Sequence, residues 1–204
     1  MYNHSQKYAF LSLIFCLFFT ACGAPKPAVV LDSSKHIYSF FAPDDRIKNT
    51  LIELIANEKK QILVAAFRIT EKAYATELIK AYNRGVHIEI VADSGALDGF
   101  SSVLESICKA KVDVYLYPCL YPMVSVEDPN KKIPLMHDKF MIFDESIDGR
   151  AFLWTGSLNF TYSAHHQNQE NCILLDDGDT IAAYKKQFEK LKTRSEQVTG
   201  VVAK

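Results

Sequence analysis

His137 and Lys139 stand two residues apart, Asp144 follows five residues after the lysine, and Gly156, Ser157 and Asn159 come further along the same stretch. On an extended strand, residues two apart point to one face, so His137 and Lys139 project together while Asp138 and Phe140 turn the other way. An imidazole gives and takes protons near neutral pH and is also a competent nucleophile toward phosphorus. The ammonium beside it supplies fixed charge for non-bridging phosphate oxygens. Gly156 lets backbone come close, and Ser157 and Asn159 add neutral donors. The next residues, "NFTYSA", can open a short helix whose first amides also favour an anion. Taken together these groups can grip and attack a phosphodiester, and donors of this kind stabilise a phosphorane-like transition state without a metal. Taken singly they are ordinary, since a strand histidine is usually structural and a Gly-Ser pair is usually a turn. The ordered set carries the reading.

The chain around this set alternates between strand and helix patterns. "IYSFF" (37–41) reads as a strand, and Asp44 is placed to cap a helix whose apolar stripe is Ile47, Leu51, Leu54 and Ile55. "QILVAAF" (61–67) has the unbroken apolar run of a strand buried on both faces. Thr70 opens a second helix carrying Leu78, Ile79 and Tyr82, and Gly85 stops it. A strand at 86–92, the helix "SVLESICKA" and a strand at 112–117 come next. Residues 118–134 hold four prolines and break the rhythm as a long loop directly before the His-Lys pair. Strands near 135–143, 151–155 and 170–175 and a last helix from Asp179 to Arg194 complete the pattern. Alternating elements of this kind predict an α/β sandwich, a central mixed sheet flanked by helices.

The chain has 204 residues, 49% of them apolar, and a formal charge of −1. That suits one domain with a leader, and it gives no global positive field, so an anionic substrate must be held by local charge. Tyr8 to Thr20 is an apolar run behind Lys7, short for a membrane span and suited to a signal peptide. It ends in "FTACGA", small residues before Cys22 that resemble a bacterial lipoprotein cleavage box. The expected organisation is a signal peptide at 1–21, a lipidated N-terminus and tether at 22–36, and a catalytic domain at 37–196. A lipid on Cys22 would hold the exported protein at a membrane of the bacterial cell envelope. Of the remaining cysteines, Cys108 and Cys119 can form a bridge in an exported protein, or both can be free thiols with Cys172.

The set His-x-Lys-x4-Asp followed by Gly-Ser-x-Asn resembles the signature of the phospholipase D superfamily, and most closely its small single-motif bacterial members, the metal-independent endonucleases. "FFAPDDRIKNTLIELIANEKKQILVAAFRIT", "LIKAYNRGVHIEIVAD" and "NQENCILL" are similar to that family's segments in the same order. The resemblance implies that His137 is the nucleophile of a phosphohistidine mechanism. It implies that Lys139 and Asn159 bind the phosphate oxygens with help from Ser157, and that Glu170 orients the histidine. Asp144 belongs to the signature. Counting in twos from Lys139 puts it off the His-Lys face, which suggests a structural role hydrogen-bonding nearby backbone. The stretch from Asp144 to Gly156 is longer than the family's spacing and reads as a longer hairpin turn at "ESIDGR". The family's fold is an α-β-α sandwich, and its chemistry needs no metal or other cofactor. Two histidines are required, one to attack and one to protonate the leaving oxygen. His87, His165 and His166 lack a lysine partner, and the last two read as surface or helix-end residues. The implied solution is a homodimer with one active site on its two-fold axis.

The expected substrate is nucleic acid, with a preference for single strands. Lys131, Lys132, Arg150, Arg68 and Lys72 are candidate contacts, and Tyr117, Tyr121 and Tyr162 are candidate stacking residues. The alternative is phospholipid headgroup hydrolysis, with Leu120, Tyr121, Met123 and Val124 of the long loop touching lipid.

Overall fold

The computed structural model describes residues 31–32, 34–97, 102–118 and 135–198. One eight-stranded sheet runs in the order β1-β7-β6-β5-β2-β3-β4-β8. Its strands are β1 (Ile37–Ala42), β2 (Gln61–Ala66), β3 (His87–Asp93), β4 (Asp113–Tyr117), β5 (Lys139–Phe143), β6 (Phe152–Gly156), β7 (Glu170–Leu175) and β8 (Glu196–Gln197). The middle strands β2, β3 and β4 are parallel. They are joined by α2 (Lys72–Asn83) and α3 (Ser102–Lys109), which with α1 (Ile47–Asn57) cover one face of the sheet. The other pairings are antiparallel, so the sheet is mixed as the sequence pattern predicts. α4 (Tyr162–His166) is a short turn of helix, and α5 (Gly178–Lys192) packs on the opposite face across β2 to β5.

The alternation along β5 shows how the two layers are built. Met141 and Phe143 are buried in the core under α1, α2 and α3, together with Leu51, Leu54, Tyr74 and Leu78. Phe140 and Ile142 are buried in the second core, against Ile181, Phe188 and Leu191 of α5. Burying each such side chain contributes about 1.5–3 kcal/mol. A one-residue slip of β5 would exchange every side chain between the two layers, so register is strongly fixed here.

Two helix starts differ from the sequence expectation. The N-cap of α1 is Arg46, with no side-chain hydrogen bond, and the carboxylate of the neighbouring Asp45 instead accepts the Phe41 N–H at 2.7 Å. α2 is capped by Glu71 rather than begun by Thr70, because the Thr70 and Glu71 amides both donate to the Phe160 carbonyl. The hairpin between β5 and β6 turns at Ile147–Gly149, where Asp148 and Gly149 have φ of 56° and 71°. The strand recovers at Phe152 in register with Phe143, so the longer turn leaves the rest of β6 and the Gly156–Ser157 corner in place. Cys108 and Cys172 are free thiols. The expected signal peptide and lipidation site Cys22, within residues 1–30, and residues 119–134 with Cys119 lie outside the described residues.

Candidate active site

The parallel strands β2 and β3 end, and β5 and β7 begin, on one edge of the sheet, where open α/β sheets commonly hold their ligands. His137 sits just before β5, not within it, and is exposed, while Lys139 opens the strand with only 7% of its surface accessible. The alternation of side chains continues across that boundary. The Lys139 Nζ lies 3.1 Å from His137 Nδ1 and donates to the His137 carbonyl at 2.6 Å. Asp138 points the other way and accepts from Gln187 of α5 at 3.2 Å. Burial pushes the Lys139 pKa below the usual lysine range, while the negative charges of Asp138 and Glu170 partly oppose the shift.

The second half of the site comes from the β6–β7 hairpin. The Ser157 hydroxyl donates to Glu170 Oε2 at 2.5 Å and accepts the Asn171 N–H at 3.0 Å, while its own N–H donates to the Asn171 carbonyl at 3.0 Å. The other carboxylate oxygen of Glu170 accepts from Asn168 at 3.0 Å. Glu170 therefore holds Ser157 and Asn168 in this geometry, and bears on the His-Lys pair through its charge at Lys139. Asn159 is half-buried with its Oδ1 lacking a partner, and a half-turn of the amide puts a donor there instead.

Gly156 makes this hairpin possible. A Cβ there would stand 2.1 Å from the Asn171 carbonyl oxygen and 2.8 Å from Cys172 Cα. Gly156→Ala is expected to force β6 from β7, destabilising the fold by about 3 kcal/mol or more and displacing Ser157. Thermal melting and activity of the variant, measured together, check this.

Other expected site residues lie elsewhere or serve differently. Asp144 is at the far end of β5 from His137. Its carboxylate pairs with Lys185 of α5 at 2.7 Å, and its N–H donates to Gln61, so its structural role rests on an ion pair rather than on side-chain bonds to backbone. Arg150 is committed to Asp176, with Nε donating to Oδ2 at 2.9 Å, and is not a free substrate contact. Arg68 and Lys72 are exposed, Tyr162 is 60% exposed, and Tyr117 is half-buried. Lys131, Lys132 and Tyr121 lie outside the described residues.

His165 lies in the last turn of α4, at the helix end, but is buried rather than at the surface. It is 3% exposed, and its Nε2 meets the Tyr74 hydroxyl at 2.8 Å. Burial lowers its pKa from 6.5 to about 4. The folded state therefore resists a proton that the unfolded chain accepts, so stability is expected to fall as pH drops from 6.5 toward 4, by roughly 3 kcal/mol in all. Acid unfolding curves of wild type and His165→Gln should differ by that loss.

One contact of the site was not anticipated. The Phe67 ring lies 4.5 Å from the His137 ring, and the Lys139 Nζ and the Arg68 guanidinium sit 5.1 and 5.4 Å from its centroid. Phe67 thus backs the imidazole while Lys139 holds Nδ1, which leaves Nε2 as the ring nitrogen without a hydrogen-bond partner among the described residues. The only sequence signal for it was an aromatic residue closing the run "QILVAAF". Among the described residues no cluster of three or more His, Cys, Asp and Glu side chains could hold a metal ion, and no helix is long and apolar enough to cross a membrane.

Comparison with known proteins adds to this geometry. The family model described as cardiolipin synthase, phospholipase D-like domain matches residues 51–192. A protein named phospholipase D from Rickettsia prowazekii (strain Madrid E) is 28% identical over 167 residues, which cover 81% of this chain and 72% of that one. Among solved structures, the phospholipase D family member Nuc from Salmonella typhimurium superposes with a TM-score of 0.66 at 20% identity, covering 80% of this chain and 98% of Nuc. NucT from Helicobacter pylori gives 0.60 at 20% identity, covering 79% of this chain and 98% of NucT. At those identities the two structures speak for the fold alone.

Proposed function

The chain belongs to the phospholipase D-like family and is a phosphodiesterase of that superfamily, and from this premise we propose that it cleaves nucleic-acid backbones through a phosphohistidine formed on His137. The observation that carries the proposal is the contact of the buried Lys139 ammonium with the exposed His137 imidazole, beside the Ser157–Glu170 pair. A nucleophile, a fixed cation and neutral donors stand at one edge of the sheet.

In this reading a non-bridging phosphate oxygen takes hydrogen bonds from Lys139, from the Asn159 amide and from Ser157 once its hydroxyl turns from Glu170. A bare Nε2 attacks phosphorus, and the bond to the leaving oxygen breaks as a second histidine gives that oxygen a proton. The second histidine then takes a proton from water, which attacks the phosphohistidine and frees the product. The two roles need two ring states. The acid is the imidazolium, protonated on both ring nitrogens with Lys139 donating to the His137 carbonyl alone, so that giving up the Nε2 proton leaves a neutral ring that can later take a proton from water. With Nδ1 protonated, and Glu170 as the carboxylate that stabilises it, Nε2 is bare for attack. A homodimer supplies both rings from two copies of His137.

Nucleic acid is favoured by Arg68, exposed beside Phe67 and in no ion pair among the described residues, and by the exposed Tyr162. A phosphodiester chain offers the repeated charge and bases that such groups bind. Phospholipid is the second reading, favoured by the relative named phospholipase D and by Leu135, exposed two residues from His137. We also propose that Cys22 anchors the enzyme at the cell envelope, facing the periplasm or cell exterior.

The test uses mature protein from Gly23 onward in excess EDTA, offered single-stranded DNA, duplex DNA, RNA and phosphatidylcholine vesicles in parallel. Cleavage of nucleic acid, fastest on single strands, is expected. Headgroup release alone would replace nucleic acid by lipid, and activity that returns only with added divalent metal would overturn the mechanism.

A further inference from the structure

The segment that delivers His137 is tied to the sheet by a residue that the site does not otherwise use. Asp93, the last residue of β3, is fully buried, and among the described residues its carboxylate is in no ion pair. A buried carboxylate persists only where hydrogen bonds replace its water. Its Oδ1 accepts the Gly95 N–H at 2.9 Å, and its Oδ2 accepts the Met136 N–H at 2.8 Å. The register explains why Asp93 can reach so far along the chain. Ala66 pairs with Ala92 on one side and with Lys139 on the other, so Asp93, Phe67 and Asp138 form the next row at the edge of the sheet. In that row the Phe67 N–H donates to the Asp138 carbonyl at 3.0 Å. His137 is thus strung between two fixed points, Met136 held from β3 and Asp138 held from β2.

We propose that Asp93 is a positioning residue for the nucleophile, setting the place of the His137 ring against Phe67 and Lys139 through the Met136 amide. This rests on the phosphodiesterase reading. Losing the Met136 anchor frees the segment to pivot about Asp138, and a misplacement of about 1 Å at a reacting group costs about 100-fold in rate.

Asp93→Asn keeps the size of the side chain but offers one acceptor oxygen to two N–H groups, so one of the two bonds must break. Glu58→Gln is the structural control. Glu58 is also buried, and its carboxylate accepts the amides of Lys59, Lys60, Gln61 and Glu145 at the opposite end of β2 and β5. The experiment measures kcat and KM on bis(p-nitrophenyl) phosphate, melting temperature, and amide hydrogen exchange at Met136. The expected result for Asp93→Asn is faster exchange at Met136 and a kcat lower by about 100-fold, with KM within about threefold. Glu58→Gln should lower the melting temperature yet keep kcat within about threefold when assayed below its transition. Asp93→Glu, which keeps the charge and both acceptors on a longer arm, should recover part of kcat. Wild-type kcat in Asp93→Asn, or an equal loss of kcat in Glu58→Gln, would overturn the proposal. Failure of the wild type to turn over any phosphodiester would instead sink the reading beneath it, and exchange at Met136 would still report whether the anchor exists.

Discussion

His137→Ala is expected to abolish phosphodiester turnover, lowering kcat by about 10⁴-fold or more, while the protein melts within a few degrees of wild type. The two halves of this expectation have separate causes. His137 is exposed, and its side chain meets the Lys139 Nζ and the Phe67 ring. Its removal opens little core, and the Lys139 ammonium keeps its bond to the residue 137 carbonyl, which alanine retains. The chemistry has no substitute. The other described histidines are His36, paired with Asp176, His87 beside Glu89, the buried His165, and His166, whose ring packs on Tyr162. None has a lysine two residues on. Steady-state kinetics and a thermal melt on one preparation check both halves. A variant retaining a tenth of the wild-type rate would remove His137 from the chemistry.

Lys139→Met should separate stability from activity in the opposite sense. The methionine fills the volume of the lysine stem and removes a charge that the fold disfavours. Because burial depresses the pKa of Lys139, its charged form costs stability at pH values below the folded pKa, and that cost fades as pH rises through it. The variant is therefore expected to be at least as stable as wild type at neutral pH, although the His137 carbonyl loses a hydrogen bond. Its activity should fall by about 10²–10³-fold, the usual effect of removing one charge-stabilising donor. The same depression predicts that wild-type activity declines on the alkaline side below the ordinary lysine range, as the ammonium loses its proton. In Lys139→Arg that decline should vanish, because a guanidinium keeps its charge. A pH–rate profile of the three proteins reads this directly.

Much of the site was legible because it depends on local rules. The period of two along a strand put His137 with Lys139 and placed Phe140 in the other core, and both hold. The same parity put Asp144 off the reactive face. The turn chemistry of "ESIDGR" absorbed the extra residues and left Ser157 beside Glu170. What escaped depends on pairings between distant residues. Lys185 reaches Asp144 only because α5 crosses β5, and nothing in either local sequence signals it. His165 is at a helix end as its place after the motif suggests, but its burial comes from Tyr74 on α2, 91 residues away. The helix caps were misplaced because Phe160 and Phe41 lend backbone partners that a local reading cannot see. Asp93 was passed over for the same reason, its decisive partner lying 43 residues away at Met136.

The central claim is that cleavage proceeds in two displacements through His137, and the stereochemistry at phosphorus tests it most directly. A diester with a chiral phosphorothioate centre would be hydrolysed in isotopically labelled water, and the configuration of the product determined. Each in-line displacement inverts the centre, so attack by His137 followed by attack of water on the phosphohistidine predicts overall retention. Inversion would mean that water attacks in a single step, and would contradict the covalent mechanism.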